Sequence, residues 1–225
     1  MAVKAILTDI EGTTTDINFV HKVLFPYAAE HLPDYVRAHA GSEPVDRLLA
    51  QARVEIEQPD ADIGQLIEAF LGWIEQDKKV TPLKTLQGLI WAEGYHQGDF
   101  TGHLYQDAIE YLNLWYQKGI SLYVFSSGSV NAQKLLFAYS DGGDLTGLFK
   151  GYFDTTTGHK REVESYRLIA EKTGLAAADI VFLSDITEEL DAARQAGMAT
   201  VLLARDIAPA PCGHQVVSCF SEIRF

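Results

Sequence analysis

The chain has 225 residues, of which 47% are hydrophobic, a balance typical of a globular protein with a large core and room for an inserted smaller domain. Its formal net charge of −13 argues against nucleic-acid binding and against an anionic membrane surface, because both require a basic face. No apolar run is long enough to span a bilayer, and the chain does not open with a signal segment, so we expect a cytoplasmic protein. We also expect a monomer.

The first predicted element is a buried strand over residues 4–10, which carries Asp9 and is followed by Glu11. Side chains two positions apart on a strand point to the same side, so two carboxylates there repel each other and are costly to desolvate. Two interpretations of this stretch are open. Either one acid caps a turn and the other is solvated beside Gly12, or both acids face a cation.

A helical interval follows the first strand and extends to about residue 98. Helical patterns cover residues 19–40, 45–58, 63–76, 83–97 and 104–119, the last of which leads back to the sheet. Because the interval begins a few residues after the two carboxylates, it is placed to cover them. We therefore expect a helical cap domain at 17–99 and a core domain formed by 1–16 and 100–225.

The remainder of the chain alternates strands with helices. Strand patterns lie at residues 120–127, 179–185 and 199–205, with a weaker one at 150–155. Helical patterns lie between them at residues 129–140, 161–174 and 187–197. This alternation implies right-handed crossovers between parallel strands. The predicted fold class is α/β, a doubly wound, Rossmann-like parallel sheet with an inserted all-helical cap.

The candidate functional residues lie where predicted strands end, which is the side on which ligands bind to an open parallel sheet. Two acids follow the first strand, two serines the second, a lysine the third and an acid the fourth: Asp9, Glu11, Ser126, Ser127, Lys160 and Asp185. Taken singly, each has an ordinary structural explanation, such as a helix cap or a surface lysine. Their joint occurrence at one edge of the sheet favours a functional site.

The residue types in this set fit phosphoryl transfer. Three carboxylates can hold one Mg²⁺ ion, which prefers oxygen ligands and retains several waters. A serine hydroxyl, backbone N–H groups at a helix start and a lysine ammonium can bind phosphoryl oxygens. An aspartate can attack phosphorus, and a second acid two residues on can protonate the leaving alkoxide and then activate water. The acid pair is then tolerated because a cation and a phosphate lie beside it.

Four short motifs resemble those of the haloacid-dehalogenase superfamily of phosphatases: DIEGTT, VFSSGS, the lysine of TGHK, and FLSDITEE. The first motif of that superfamily is normally Asp-x-Asp, and here Glu11 replaces the second aspartate. With that departure, three longer strings are similar to one branch of the superfamily: SSGSVNAQKLLF, GYFDTTTGHKREVESYR and LKTLQGLIWAEGY. The similarity extends over essentially the whole chain.

The resemblance implies a role for each candidate residue. Asp9 would be the nucleophile and a Mg²⁺ ligand, and Glu11 would be the acid/base group and a second ligand, in part through its backbone carbonyl. Asp185 would complete the site for one Mg²⁺ ion per subunit. The substrate-binding residues would be Ser126, Ser127 and Lys160.

The branch that the chain resembles acts on a small phosphorylated diketone in methionine salvage. The resemblance implies that 2,3-diketo-5-methylthiopentyl 1-phosphate is first enolised and that its phosphate is then hydrolysed, which gives the acireductone 1,2-dihydroxy-3-keto-5-methylthiopentene. Two alternatives stay open. One is a broader-specificity phosphomonoesterase of the same superfamily without enolase activity, and the other is a Mg²⁺ and phosphoester binding module that has lost turnover.

Overall fold

One parallel sheet of six strands forms the centre of the fold in a computed structural model that describes residues 3–205 and 212–224. The strands are β1 (Ala5–Thr8), β2 (Ser121–Phe125), β3 (Phe149–Phe153), β4 (Ile180–Ser184), β5 (Ala199–Leu203) and β6 (Gln215–Val217). Their order across the sheet is β3-β2-β1-β4-β5-β6. The predicted α/β class with a doubly wound parallel sheet is confirmed. The sequence pattern does not predict β6, because three residues at a sheet edge are too short to show a periodicity.

The strand order determines where a ligand can bind. β1 lies between β2 and β4, so that Ala5 pairs with Ser121 on one side and with Ile180 on the other. The chain therefore builds the sheet outward from β1 in both directions. A ligand crevice opens outside the carboxyl ends of the strands at the point where the order reverses. Residues that follow β1, β2 and β4 meet at this edge.

The chain forms two compact units, Met1–Ile17 with Thr101–Phe225, and Asn18–Phe100. The second unit is helical and begins within α1. Its helices are α1 (Ile17–Phe19), α2 (Phe25–His39), α3 (Val45–Glu55), α4 (Ile63–Glu75) and α5 (Thr81–Gln97). Apolar side chains from these helices form a core of their own, which includes Leu32, Phe70 and Leu86.

A π-helical turn, Val20–Leu24, joins α1 to α2. π-helical turns are rare and occur mostly as single turns within α-helices. The indole N–H of Trp91 donates to the carbonyl of Leu24 at 2.8 Å, and its ring stacks on Phe25 with 6.4 Å between the centroids. Trp91 therefore stabilises the turn from within the helical unit.

In the described part of the other unit, four helices flank the sheet: α6 (Gln106–Gln117), α7 (Val130–Ala138), α8 (Val163–Thr173) and α9 (Thr187–Gln195). α8 ends at Gly174, whose φ of 70° is left-handed, as its position in the sequence predicts. Tyr166 of α8 and Leu190 of α9 lie in one apolar cluster with Phe125 and Phe182 of the sheet. Across the described ranges, no helix has the length and apolar character that crossing a bilayer requires.

The core of the helical unit can be tested at Phe70, which is fully buried and packs edge-to-face on Trp73 with 5.3 Å between the ring centroids. We expect Phe70→Ala to lower the free energy of unfolding by about 3–5 kcal/mol, because it removes a large apolar side chain and leaves a cavity. Val54→Ala, at a position that is 77% exposed, is the matched control and should change it by less than about 0.5 kcal/mol. Urea unfolding measures the free energy of unfolding of both variants. Equal losses would contradict the assignment of Phe70 to the core of the helical unit.

Candidate active site

A tight turn after β1 positions the first two acids. The N–H of Asp9 donates to the carbonyl of Leu183 on β4 at 2.9 Å, so pairing continues one residue beyond the strand. The carbonyl of Ile10 then accepts from the N–H groups of residues 13, 14 and 15 at 3.2, 2.8 and 3.0 Å. The threonines at 13–15 are fully buried, so they build the turn instead of forming a solvated loop. The turn therefore fixes Asp9 and Glu11 at the carboxyl end of β1.

Gly12 allows the acid that follows β4 to approach this turn. Its φ of +73° is left-handed, and a Cβ at this position would collide with the carboxylate of Asp185. Asp185 directly follows β4, and its carboxylate therefore lies against the turn that carries Glu11. The structure thus brings the three predicted acids Asp9, Glu11 and Asp185 to one edge of the sheet.

The two predicted serines follow β2. The hydroxyl of Ser126 lies 3.1 Å from Oε2 of Glu11, to which it donates, and it accepts from the N–H of Gly128 at 3.1 Å. Ser126 is fully buried, and Ser127 is half-buried next to it. The helix α7 is capped by Ser129, whose hydroxyl accepts from the N–H three residues on at 3.3 Å. Helix capping therefore explains Ser129 but not Ser126.

Lys160 is buried among the acids. Its ammonium lies 2.6 Å from Oδ1 of Asp9 and 2.7 Å from Oε2 of Glu189, and its side chain is 8% exposed. Glu189 in turn accepts a hydrogen bond from the hydroxyl of Ser184 at 2.9 Å. The surface-lysine explanation is therefore wrong for this residue, since Lys160 links the end of β1 to α9.

The charges at this edge of the sheet do not balance. The carboxylates of Asp9, Glu11, Asp185 and Glu189 all act on the ammonium of Lys160 or on one another. Burial, and next to it the charge of Asp9, raises the pKa of Glu11 and of Glu189, and raises the pKa of Asp185 to about 7. Burial opposes the charged form of Lys160, but Asp9 and Glu189 raise its pKa overall, so it stays protonated. The cluster holds excess negative charge, which protons or a cation must offset.

The donor atoms of this cluster fit a hard divalent cation. Among residues 3–205 and 212–224, no three His, Cys, Asp or Glu side chains converge into a ready-made metal cage. Mg²⁺ does not need one, because one or two carboxylates usually hold it together with waters and substrate phosphate. Oδ1 of Asp9 is buried and, apart from its ion pair with Lys160, accepts no hydrogen bond from the described residues. The residues present therefore fit Mg²⁺, and the ligand set Asp9, Glu11 and Asp185 stays a prediction.

A cavity of about 320 Å³ opens beside Asp185 within the core unit. Its lining contains Gly12 and the polar side chains of Asp16, Asp185, Thr187 and Arg205. Small-molecule pockets usually measure roughly 300–1,000 Å³, so this volume is at the lower end of the range. The core unit therefore has room next to Asp185 for part of a small phosphorylated compound.

Two residues that the sequence patterns do not single out support the loops of the site. Asp154, directly after β3, accepts from the N–H that starts α7 at 3.1 Å, and from the N–H and hydroxyl of Thr156 at 2.9 and 2.6 Å. The buried amide of Gln133 donates to the carbonyls of Gly128 and Phe153, both at 2.8 Å. Asp154 has the same strand-end position as the acids after β1 and β4, and this signal could have identified it. Nothing in the sequence marks Gln133.

Comparison with known proteins assigns the family. Residues 3–197 of the chain match the family of haloacid dehalogenase-like hydrolases. The chain is 56% identical over 223 residues to enolase-phosphatase E1 of Pseudomonas aeruginosa (strain LESB58), with 99% of each chain covered. It belongs to the enolase-phosphatase family of the haloacid dehalogenase-like hydrolases. Enolase-phosphatase E1 of Erwinia tasmaniensis is 54% identical over 221 residues, with 98% of this chain and 96% of that one covered.

Solved structures agree with the fold. The UTR4 protein of Saccharomyces cerevisiae is 37% identical to the chain and superposes with a TM-score of 0.84, covering 98% of this chain and 100% of its own. A haloacid dehalogenase hydrolase of Bacillus subtilis, YfnB, described as bound to magnesium, has a TM-score of 0.63 at 14% identity, with 99% of this chain and 97% of its own covered. The second likeness concerns the fold alone. The enolase-phosphatase family therefore shares its architecture with distant hydrolases.

Mg²⁺ binding is expected to depend on pH through Asp185. Its carboxyl is about half protonated near pH 7 in the metal-free protein, because burial and Asp9 raise its pKa to about 7. If Asp185 is a ligand as predicted, the ion binds its carboxylate form, so binding releases this proton. The affinity should therefore rise by roughly tenfold from about pH 6 to about pH 8 and then level off.

Isothermal titration in buffers of different ionisation enthalpy measures both the affinity for Mg²⁺ and the proton that is released. Asp185→Asn should bind weakly and lose this pH dependence. Glu188→Gln, which removes an exposed acid of the same segment, should behave as the parent protein. An affinity that is constant over this pH range would contradict the role of Asp185.

Proposed function

We propose that the protein is an Mg²⁺-dependent enolase-phosphatase of methionine salvage, which converts 2,3-diketo-5-methylthiopentyl 1-phosphate to the acireductone 1,2-dihydroxy-3-keto-5-methylthiopentene and phosphate. The observation that carries the proposal is the contact of Glu11 with Ser126 beside the ion pair of Asp9 and Lys160. Glu11 is the residue that departs from the usual Asp-x-Asp motif. Identity of 54–57% to proteins named enolase-phosphatase E1 supports the proposal.

Asp9 is the proposed nucleophile. A carboxylate oxygen of Asp9 forms a bond to phosphorus while the bond from phosphorus to the ester oxygen breaks, which leaves an aspartyl-phosphate. Water then hydrolyses this intermediate and regenerates the carboxylate. Lys160 remains protonated, because Asp9 and Glu189 together raise its pKa, and it can therefore bind phosphoryl oxygens while it stays paired with Glu189.

Glu11 is the proposed acid and base. Burial and the charge of Asp9 raise its pKa, which favours the protonated form that an acid catalyst needs. The hydroxyl of Ser126, 3.1 Å from Oε2, orients the carboxyl group. Protonated Glu11 can give its proton to the leaving alkoxide, and the resulting carboxylate can then take a proton from the attacking water. Glu11 is also our candidate for moving the enolisation proton.

The Mg²⁺ ion would be held by Asp9, Glu11 and Asp185, with one ion per chain. When bound, it neutralises the attacking carboxylate and the phosphate dianion, which otherwise repel each other. The chain itself contributes a second positive charge at a fixed place, because Lys160 is buried between Asp9 and Glu189. Ser126 and Ser127 would bind the remaining oxygens of the substrate.

We also propose that the helical unit, Asn18–Phe100, acts as the cap domain that the sequence predicts. The support lies in the chain order and in the packing, since the unit is inserted shortly after Glu11 and has a core of its own. Residues that select the methylthio tail of the substrate are then to be sought in this unit.

The proposed function is tested by incubating the protein and Mg²⁺ with the diketo phosphate ester and following ¹H and ³¹P NMR spectra. The expected products are the acireductone and phosphate in equal amounts. A panel of sugar and nucleotide phosphates is the control and should react far more slowly. Equally fast release of phosphate from the panel, without any enol product, would favour a broad phosphomonoesterase and contradict the proposal.

Asp9→Asn should lower phosphate release by several orders of magnitude, because an amide is a poor nucleophile. Acid quenching of a reaction with ³²P-labelled substrate should trap label on the parent protein and none on the variant. Asp179→Asn is the control. It changes the acid directly before β4, at the end of the strands away from Asp9, and should keep both label and turnover. Direct attack by water, with no trapped label and with inversion of configuration at phosphorus, would show that the nucleophile is wrongly assigned.

Glu11→Asp separates the two steps of the reaction. The glutamate side chain is longer by one carbon–carbon bond, about 1.5 Å, and we expect this reach to serve the diketone carbon as well as the ester oxygen. Glu11→Asp should therefore keep some hydrolysis of simple phosphate esters while enolisation falls more. Glu11→Ala should lose both steps by about 10²–10⁴-fold. Solvent-deuterium exchange at the enolisable carbon, followed beside phosphate release, measures the steps separately. If Glu11→Asp slows both by the same factor, the dual role fails.

A further inference from the structure

The backbone of Lys160 is fixed by the first turn of α8. Lys160 itself lies in a loop, ahead of α8 and outside any regular element. The phenol of Tyr166 donates to the carbonyl of Lys160 at 2.6 Å, and the hydroxyl of Ser165 donates to the carbonyl of His159 at 2.7 Å. Two consecutive side chains of α8 therefore bind two consecutive carbonyls of the loop.

Packing fixes the position of both donors. Tyr166 is fully buried, and its ring contacts Phe125 of β2 and Phe182 of β4, with 5.6 and 5.1 Å between the centroids. Burial raises the pKa of Tyr166 above its usual range, so the phenol stays a donor. Ser165 is 1% exposed. The strands that carry the serines and acids of the site therefore also position the donor that holds Lys160.

Gly158 permits the close approach of this loop to α8. Its φ of +145° lies outside the range that other residues adopt without strain, and a Cβ there would collide with the hydroxyl of Ser165. The TGHK motif therefore contains a glycine for a steric reason that is separate from the lysine. Only a glycine allows Ser165 to reach the carbonyl next to Lys160.

A buried lysine needs such support because its side chain is long and flexible. Four rotatable bonds separate the ammonium from the backbone, and ordering them has an entropic cost. With the carbonyl of Lys160 fixed at one end, and the ammonium held by Asp9 and Glu189 at the other, one conformation is favoured. If the backbone were free to shift, the competent conformation would be populated less, and phosphate affinity would fall by the same factor.

We propose that Tyr166 and Ser165 are positioning residues for phosphate binding, which hold the loop backbone so that the ammonium of Lys160 is presented to the phosphoryl group. This inference rests on the proposed function, in which Lys160 binds phosphate. Tyr166 contributes more than Ser165, because the carbonyl of His159 also accepts from the N–H of Glu162 at 3.0 Å and keeps that bond without the serine.

The test compares Tyr166→Phe, Ser165→Ala and a control, Thr173→Val, in the protein with Mg²⁺. Thr173 is on the same helix and donates to the carbonyl of Ala170 at 2.8 Å, so its variant also removes one hydroxyl-to-carbonyl bond but far from Lys160 along α8. Three quantities are measured well below the unfolding midpoint of each variant: the inhibition constant of inorganic phosphate, the KM of a phosphate ester, and kcat.

Tyr166→Phe should raise the inhibition constant and KM by about fivefold, the factor that corresponds to the loss of one ordinary hydrogen bond. The change in kcat should be much smaller. Ser165→Ala should raise them less, and Thr173→Val should leave them unchanged. A loss of thermal stability in Tyr166→Phe with unchanged phosphate inhibition would overturn the proposal, since the phenol would then be merely structural. Lys160→Met separates phosphate binding by Lys160 from the positioning of its backbone. If it leaves phosphate inhibition unchanged, the role of Lys160 in the proposed function fails; if it weakens inhibition and Tyr166→Phe does not, only the positioning role fails.

Discussion

The active site depends on the burial of several carboxylates around one lysine at the carboxyl edge of the sheet. A buried ion without a partner costs several kcal/mol, so Lys160 must be held where it reaches Asp9 and Glu189 together. Lys160 does not neutralise the whole cluster: burial, and next to it the charge of Asp9, still raises the pKa of Asp185 and of Glu11. The proposed chemistry uses this imbalance. An acid that is shifted toward its protonated form can donate a proton, and an acid beside an ammonium and a cation can attack a phosphate.

The fold makes this concentration of charge possible by drawing each group from a different element. Because the strand order reverses at β1, acids that follow β1 and β4 become neighbours, although they are far apart in the sequence. Each loop is then fastened by buried side chains, such as Asp154 at the start of α7 and Tyr166 beside Lys160. The glycine at position 12 removes the side chain that would exclude Asp185. Buried hydrogen bonds therefore position the charged groups, while apolar clusters form the cores of the two units.

The sequence predicts the elements whose signals are local, and it misses those that depend on distant contacts. Strand ends rich in acids and hydroxyls are visible in the chain itself, so the amino-acid order is enough to select Asp9, Ser126 and Asp185. The motif around Lys160 selects that residue too, but its burial has no local signal, because the partner Glu189 lies on a separate helix. The acids at the start of that helix have an ordinary explanation in the helix dipole. Tyr166 has no local signal at all, since an aromatic residue on the apolar face of a helix is normally core.

In the proposed site, one ammonium and one divalent cation together hold the buried acids. Anomalous diffraction from a crystal soaked with Mn²⁺ in place of Mg²⁺ tests this arrangement most directly, because the map locates the metal without reference to activity. We expect one strong peak with carboxylate oxygens of Asp9 and Asp185 as ligands, and Lys160 still paired with Glu189. A peak at another place, or no peak at saturating Mn²⁺ with Asp9 and Asp185 unchanged, would contradict it.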